Sequence, residues 1–396
     1  MEEQIVAQIV APADPASEQG GGKRPASALE LVARLRERQA DTERDGQYSA
    51  ELRDEMERIG IYKQLSDGLA APDLVGYLES ISFLASGCPS TAWSVATGTA
   101  HQLSVAQLFD DGVQAQLLGN GKTALICAGG TARGSVSRVD DGWHIRGEWE
   151  QCDGVPYADW FLARVVFTED AHGTEPVRVG TALVPRAQIE VLDDWHDVLG
   201  LRGAGSNSIR ADTVVPVEFV ILQDHLNLDS GRPGVACLIP AVAAAVARGV
   251  ARSAIEWYDE MIRVRKTFFP PQVLRVQDIN YQRYYGTAVT SIEAAAAVID
   301  ATASLHSQLI DDAKVMQPAI GEELQLIGRY HAAFQQCWGV IQFLFTSGGS
   351  SAASNDSTMG RYFRDLSTLR TRSDLQHDAY ARDLSRQHYE LTEASA

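Results

Sequence analysis

The chain has few basic residues for its size. Its 396 residues include 34 Lys and Arg against 52 Asp and Glu, which gives a formal net charge of −18 at pH 7. A surface of this sign repels the phosphates of nucleic acids and of anionic membranes. The composition therefore argues against both as main partners, and the charge mainly favours solubility.

Cysteine is scarce as well. The five cysteines are scattered, and none forms a Cys-x-x-Cys pair: Cys88, Cys127, Cys152, Cys237 and Cys337. This pattern predicts neither a disulfide framework nor a zinc site, and it is typical of a reducing, cytoplasmic compartment. We therefore expect a cytoplasmic protein without a metal centre.

Secretory signals and nucleotide-binding glycine motifs are also missing. Residues 1–25 begin acidic and are rich in Gly, Pro, Ser and Ala, which predicts a disordered leader. The most apolar stretch, "LIPAVAAAVARGVARSAI", carries recurring arginines, so we predict no membrane span. The Gly-Gly-Gly run at 20–22 lies in the leader with no strand before it. It is therefore not a dinucleotide fingerprint, and no NAD(P)H site is predicted.

What the sequence does contain is a helix–strand–helix order. Residues 26–121 place apolar side chains at the three- and four-residue spacing of helices. Residues 122–230 break into short β-branched and aromatic segments between Gly, Asp and Pro, which predicts an antiparallel β domain. Residues 231–396 return to helical spacing and predict a four-helix bundle. Its four long segments are 239–266, 274–310, 319–346 and 358–391.

Three motifs occur in this order along the chain: "GWHIRGEWEQCDGVPYADWFL", "DDWHDVLGLRGAGSNSIRADTVVPVEFV" and "GGSSAASNDSTMGRYFRDL". Together they resemble the acyl-CoA dehydrogenase superfamily from about Ala26 to Leu391. The resemblance implies an α+β fold with an N-terminal helical domain, a central antiparallel β domain and a C-terminal four-helix bundle. It also implies a homotetramer assembled through that bundle.

The residues expected to carry dehydrogenase chemistry are altered. Many acyl-CoA dehydrogenases have a glutamate base nine residues after the Arg of an Arg-Asp pair, and here that position is Ser373. A serine cannot act as a carboxylate base. The chain is more similar to the two-component flavin monooxygenases of the superfamily. That resemblance implies reduced FMN, or reduced FAD, supplied by a separate flavin reductase, and a small aromatic or natural-product substrate.

Three residues are the catalytic candidates that this resemblance implies. His101 occupies a helix position where the branch often has a substrate-side His, although a histidine satisfied among apolar neighbours is the alternative. Arg372 stands eight residues after Arg364, where the branch tends to have a His. Asp153 replaces the usual small hydroxyl residue. Because a buried guanidinium needs an anionic partner, we predict that Arg372 and Asp153 form an ion pair in the flavin pocket.

The resemblance also implies a set of cofactor-binding residues. They are Trp149, Cys152, Ser206, Arg265, Gly348, Gly349, Arg361, Arg364 and Asp365. Arginine donors suit a flavin phosphate, but Arg361, Arg364 and Asp365 could instead hold neighbouring helices together. Arg265 has a second interpretation too, as a cation favoured in the last turn of a helix. Trp149 could equally be packing within the β domain.

Two other functions remain open at the level of sequence. One is an FAD-dependent dehydrogenase or desaturase that acts on a thioester or a related substrate. The other is a non-redox enzyme or a binding protein that has reused the fold after losing both expected catalytic residues, because fold alone does not fix function.

Overall fold

The computed structural model describes residues 28–65, 72–119, 123–168, 178–223, 234–312, 320–389 and 391. The predicted leader, residues 1–25, lies outside them. Among the described residues six α-helices precede the sheet: α1 Ala28–Glu37, α2 Gln39–Asp45, α3 Ala50–Arg58, α4 Leu74–Gly87, α5 Pro89–Leu108 and α6 Asp111–Leu118. Polar side chains cap three of them, since Ser49, Asp73 and Asp110 each accept a hydrogen bond from a backbone N–H of the first turn.

The middle of the chain forms one seven-stranded sheet. Its strands are β1 Ile126–Val139, β2 Gly142–Trp149, β3 Trp160–Phe167, β4 Val179–Pro185, β5 Glu190–Val191, β6 Ile209–Val215 and β7 Val220–Gln223. They lie in the order β5-β6-β2-β1-β3-β4-β7. The predicted antiparallel arrangement needs one correction, because β1 and β3 run parallel. The hairpin between β1 and β2 occupies one edge of β1, and β3 returns through a connection to pair with the other edge.

In the part of the chain that the structure describes, three long helices and two short ones follow the sheet. They are α7 Leu238–Val264, α8 Ile279–Asp312, α9 Ile320–Gly348, α10 Thr358–Leu369 and α11 His377–His388. The last segment was predicted as one helix over 358–391, and this is wrong, because residues 370–376 interrupt it. Arg372 is extended there and precedes a short 3-10 turn at Ser373–Leu375. The Gln376 amide donates to the carbonyl oxygens of Arg370 and Arg372, so the break leaves these two acceptors satisfied.

Two of these helices are long and apolar enough to cross a membrane by length and composition, which the sequence prediction did not anticipate. In the helical stretch Val235–Val264, 78% of the most apolar window is buried inside the protein, whereas in Ile279–Asp312 it is 33%. Burial in the bundle accounts for the apolar character of α7. The outer face of α8 is not covered by the other residues that the structure describes.

The core has two parts that meet at helix α5. One joins the helices before and after the sheet and includes Trp93 and Val246, while the other lies against the sheet and includes Trp149 and Phe161. Helix α5 contributes to both, since Trp93 belongs to the first part and Val105 to the second. Its N-terminal half therefore lies where the helical layers and the sheet come together, and this junction holds the candidate site.

Candidate active site

Two loops pair beside helix α5. The loop after β2 and the loop before β6 are joined by backbone hydrogen bonds from Cys152 to Asn207, from Gly154 to Ala204 and from Val155 to Gly205, at 3.1–3.2 Å. Gly154 and Gly205 have φ of 75° and 61°, a left-handed conformation that side chains rarely adopt. The two glycines therefore let the loops turn tightly enough to bring Asp153 and Ser206 together.

Asp153 is the acceptor at the centre of this junction. One carboxylate oxygen accepts the Ser206 hydroxyl at 2.7 Å, and the other accepts Arg372 Nη1 at 2.6 Å. The side chains of Asp153 and Arg372 are 10% and 25% exposed. The predicted ion pair is thus confirmed, although the two residues lie 219 positions apart in the sequence.

Helix α5 supplies the third side of the arrangement. The guanidinium carbon of Arg372 lies 5.1 Å from the ring centre of Trp93, which is a cation–π distance. The indole N–H of Trp93 is buried and has no hydrogen-bond partner among the described residues. A buried donor of this kind is costly unless something accepts its hydrogen bond. Trp93 therefore adds an orphaned donor to the site, and its one signal in the sequence is an aromatic residue in an apolar helix.

The chemistry of these groups is limited by their protonation. Arginine is a permanent cation with donors only, so Arg372 can orient an anion or an acceptor but cannot remove a proton. Both oxygens of Asp153 already accept hydrogen bonds, which fits a counter-ion better than a general base. His101 is half-buried on α5, two turns beyond Trp93 and about 80° around the helix from it. The family resemblance implies that this imidazole lies on the substrate side.

Trp149 and Cys152 lie deeper than a ring contact requires. The Trp149 indole is fully buried, donates to the Arg164 carbonyl at 2.8 Å and packs edge-on against Phe161. The thiol of Cys152 donates to the Trp149 carbonyl at 3.4 Å, and burial raises the pKa of this thiol, so it stays neutral. The structure therefore places both side chains in the core of the sheet.

Arg361 and Arg364 meet a carboxylate that the sequence analysis missed. Arg361 Nε lies 2.8 Å and Arg364 Nη2 3.1 Å from the two carboxylate oxygens of Glu43 on α2. Burial raises the pKa of Glu43, but the hydrogen bonds and charges of the two arginines outweigh it and hold that pKa below its ordinary value. The contacts match the alternative that these arginines hold helices together. Nothing in the sequence pairs Glu43 with residues more than 300 positions away.

Asp365 fastens the loop that carries Ser206. Its Oδ1 accepts the backbone N–H of Leu201 at 2.7 Å, and Leu201 is in the left-handed region with φ of 53°. The other oxygen, Oδ2, is buried without a hydrogen-bond partner among the described residues. Burial raises the pKa of Asp365 to about 7. Asp365 is thus a positioning residue for the loop, next to Arg364 and one helix turn after Arg361, the two arginines that bind Glu43.

Arg265, Gly348 and Gly349 form a separate group at the ends of α7 and α9. The Arg265 guanidinium contacts the Ser351 hydroxyl, and Arg275 Nη1 approaches the Gly348 carbonyl at 3.5 Å. Gly349 has φ of 80° and open space where a Cβ would stand. The structure therefore brings these three predicted residues together, at a place different from the Asp153–Arg372 pair.

Comparison with known proteins shows what the chain is similar to. Residues 241–377 match the family described as acyl-CoA dehydrogenase, C-terminal domain. The predicted resemblance to this superfamily and the predicted fold are confirmed. The superfamily branch predicted from sequence is also the one to which the relatives belong.

The relatives include the oxygenase subunit of a flavin-dependent monooxygenase. The chain is 27% identical over 309 residues to the oxygenase subunit HsaA of a flavin-dependent monooxygenase from Mycobacterium tuberculosis, covering 73% of this chain and 75% of that protein. Among solved structures, XiaF from Streptomyces, in complex with FADH2 and glycerol, has a TM-score of 0.79 at 22% identity, with 92% and 96% of the two chains covered. TdsC from Paenibacillus, with FMN and indole, has a TM-score of 0.77 at 20% identity and the same coverage. These two structures establish the fold.

Proposed function

We propose that this protein is the oxygenase component of a two-component flavin-dependent monooxygenase. The observation that carries the proposal is the similarity to an oxygenase subunit over 73% of the chain. The structure adds that Ser373, at the position of the dehydrogenase base, lies exposed in the 3-10 turn. Many dehydrogenases have their carboxylate base in that place, although some take it from an earlier helix, so a serine there favours oxygenation over α-proton removal.

The cofactor in this proposal is reduced FMN or reduced FAD, delivered by a separate reductase. Bound reduced flavin would supply the electrons that activate oxygen for transfer to the substrate. The orphaned N–H of Trp93 and the loop backbone at Gln151–Asp153 would face the flavin ring. Arg265 and the open backbone at Gly349 would hold its phosphate, because guanidinium groups and exposed peptide N–H groups are suited to anions.

The remaining residues would organise the substrate. Arg372 and Asp153 form a fixed dipole of one cation and one anion, held by Ser206 and packed on Trp93. It would orient an aromatic or other small organic substrate without exchanging a proton. His101 is the group whose ordinary pKa lies near neutrality, so we assign it any proton movement at the substrate.

The protein is proposed to assemble as a homotetramer through the C-terminal helices. The outer face of α8 carries a continuous stripe of exposed small and apolar side chains: Ala294, Ala297, Val298, Ala301 and Leu305. Val298 and Leu305 are 36% and 41% exposed. Small residues allow two helices to approach closely, and a stripe at three- and four-residue spacing fits a second helix of the same kind. We therefore propose a second copy of this chain as its occupant.

Sedimentation equilibrium tests this assembly. The expected mass is four times that of the 43.0 kDa chain. Ala297→Arg places a charge in the stripe and is expected to shift the protein to smaller species, whereas Ala33→Arg, on the exposed face of α1, is expected to leave the mass unchanged. A wild-type protein that sediments only as a monomer at micromolar concentration contradicts the proposal.

Activity is tested by reconstitution. The purified chain is combined with a flavin reductase, NADH, FMN and a panel of phenols and indoles under labelled oxygen gas. The proposal predicts products heavier by one labelled oxygen atom, and none when the reductase is left out. Electron transfer from thioesters to an artificial acceptor, without oxygen incorporation, would identify a dehydrogenase instead. With neither reaction and no flavin binding, the fold would serve a non-redox role.

A further inference from the structure

A polar cavity lies on the far side of the segment that carries Arg372. It has a volume of about 430 Å³ and is formed between α9, α10 and the 370–376 break. Its lining residues are His331, Gln335, Trp338, Ser367, Arg370, Thr371, Leu375 and Gln376. This volume lies within the range typical of sites for small organic ligands. None of the residues assigned to the proposed active site lines it.

The charge of this cavity is opposite to that of the protein. The chain carries a net charge of −18, yet the described lining residues include one arginine and no carboxylate. Arg361, Arg364 and Arg372 of the same region each pair with Glu43 or Asp153. Arg370, in contrast, has no carboxylate within ion-pair distance among the side chains that the structure describes. A local cation in an otherwise acidic protein attracts an anion.

The remaining lining groups divide into a polar side and an apolar side. The guanidinium carbon of Arg370 lies 5.7 Å from the ring centre of Trp338, which holds the cation in place by a cation–π contact. Ser367, Thr371 and Gln376 add hydroxyl and amide groups close to it in the chain. Trp338 and Leu375, both about nineteen-twentieths buried, supply apolar surface. A ligand with one anionic group and one flat apolar body satisfies both sides.

We propose that this cavity, which we call the Arg370 cavity, binds a small aromatic carboxylate. Arg370 would take the carboxylate with its planar pair of donors, and the ring would lie against Leu375 and the part of Trp338 that Arg370 and Phe363 leave uncovered. Binding itself does not depend on the proposed function.

One lining residue of the cavity is hydrogen-bonded to the segment that carries Arg372. Gln376 donates to the carbonyl oxygens of Arg370 at 3.0 Å and of Arg372 at 3.1 Å. A ligand that binds to Arg370 or Gln376 therefore contacts the 370–376 segment, and the same segment carries Arg372, the partner of Asp153. An effect of the ligand on Arg372 rests on the proposed function, whereas occupancy of the cavity can be measured without it.

The experiment is a calorimetric titration of the flavin-free protein with benzoate. Benzyl alcohol serves as an uncharged analogue of benzoate, and inorganic phosphate serves as an anion without a ring. We expect benzoate to bind and the other two probes to bind at least tenfold more weakly. Losing one charge-assisted contact is expected to weaken benzoate binding by roughly tenfold to a hundredfold in Arg370→Gln.

Two variants make the result specific. Arg370→Lys keeps the charge without the planar fork and is expected to recover part of the affinity. Arg263→Gln, on the exposed last turn of α7, is expected to bind benzoate as the wild type does. Absence of benzoate binding overturns the proposal. Unchanged benzoate binding in Arg370→Gln also overturns it, because that binding would belong to another pocket. Equal binding of benzyl alcohol and benzoate is the third result that would contradict it. None of these outcomes depends on flavin, so the proposed function is tested separately.

Discussion

Replacing Arg372 with Met is expected to destabilise the protein by leaving the Asp153 carboxylate with one hydrogen bond, from Ser206, and no counter-charge. Breaking a fully buried pair costs about 3–5 kcal/mol, whereas exposed pairs contribute about 0–1 kcal/mol. Here the two side chains are 10% and 25% exposed, so the site lies nearer the buried limit. We expect a loss of about 2–3 kcal/mol for the single substitution.

The interaction itself is isolated by a double-mutant cycle. Asp153→Asn keeps the shape of the side chain and removes its charge, so the double variant loses the pair without an unpaired ion. Residues in one such network couple by about 0.5–3 kcal/mol, and we expect about 1–2 kcal/mol here. The assay is urea denaturation followed by circular dichroism, with the free energy of unfolding taken by linear extrapolation.

A surface pair of the same chemistry provides the control. Arg263 Nε lies 2.8 Å from Asp259, but this pair sits on the surface of α7, with Arg263 63% exposed. Its cycle is expected to give about 0.3–0.5 kcal/mol. A coupling energy for Arg372 and Asp153 no larger than that of the control would refute the idea that the pair is a buried structural unit.

Two further predictions concern the helix and loop beside this pair. The pKa of Asp365 is raised from 3.8 to about 7 by burial, so the folded protein binds more protons than the unfolded chain between about pH 4 and 7, and stability falls as the pH rises through that window. Asp365→Asn keeps an acceptor for the Leu201 N–H. It should raise the free energy of unfolding at pH 8 by about 2–4 kcal/mol, and therefore the midpoint of thermal unfolding, but leave both nearly unchanged at pH 4. An equal effect on the midpoint at both pH values would contradict this. Gly200→Ala places a Cβ 2.3 Å from the backbone of Arg364 and should destabilise strongly in urea denaturation, whereas Gly286→Ala, with open space around it in α8, should stabilise by up to about 1 kcal/mol; similar effects of the two would show that the loop does not pack against α10 as described.

Much of the architecture could be predicted from periodicity. The change from helical to strand spacing near 122, and back near 239, reflects burial on one face of each element, which short-range sequence records. Two features could not be predicted in this way. The parallel pairing of β1 with β3 depends on the path of a connection, and the break at 370–376 contains neither Gly nor Pro. It is stabilised instead by the Gln376 amide, a contact that forms only after folding.

The candidate site, too, could be predicted from the sequence only in part. The Asp153–Arg372 pair was predictable because two departures from one family pattern had opposite charges. The partners of Arg361 and Arg364 were not, since Glu43 lies 318 residues before Arg361 and belongs to no motif. Trp149 was assigned to the cofactor because of its motif, but its indole fills the space beside Gly129 and Gly134 in the sheet. Long-range packing therefore decides which residues of a motif reach the site.

The central claim, that the protein works on reduced flavin, is tested most directly by an anaerobic titration. The purified chain is titrated with photoreduced FMN, and in parallel with oxidised FMN, and binding is followed by the change in flavin absorbance. The account predicts tight binding of the reduced form and weak binding of the oxidised form. Tight binding of oxidised flavin, or no binding of either form, would contradict it.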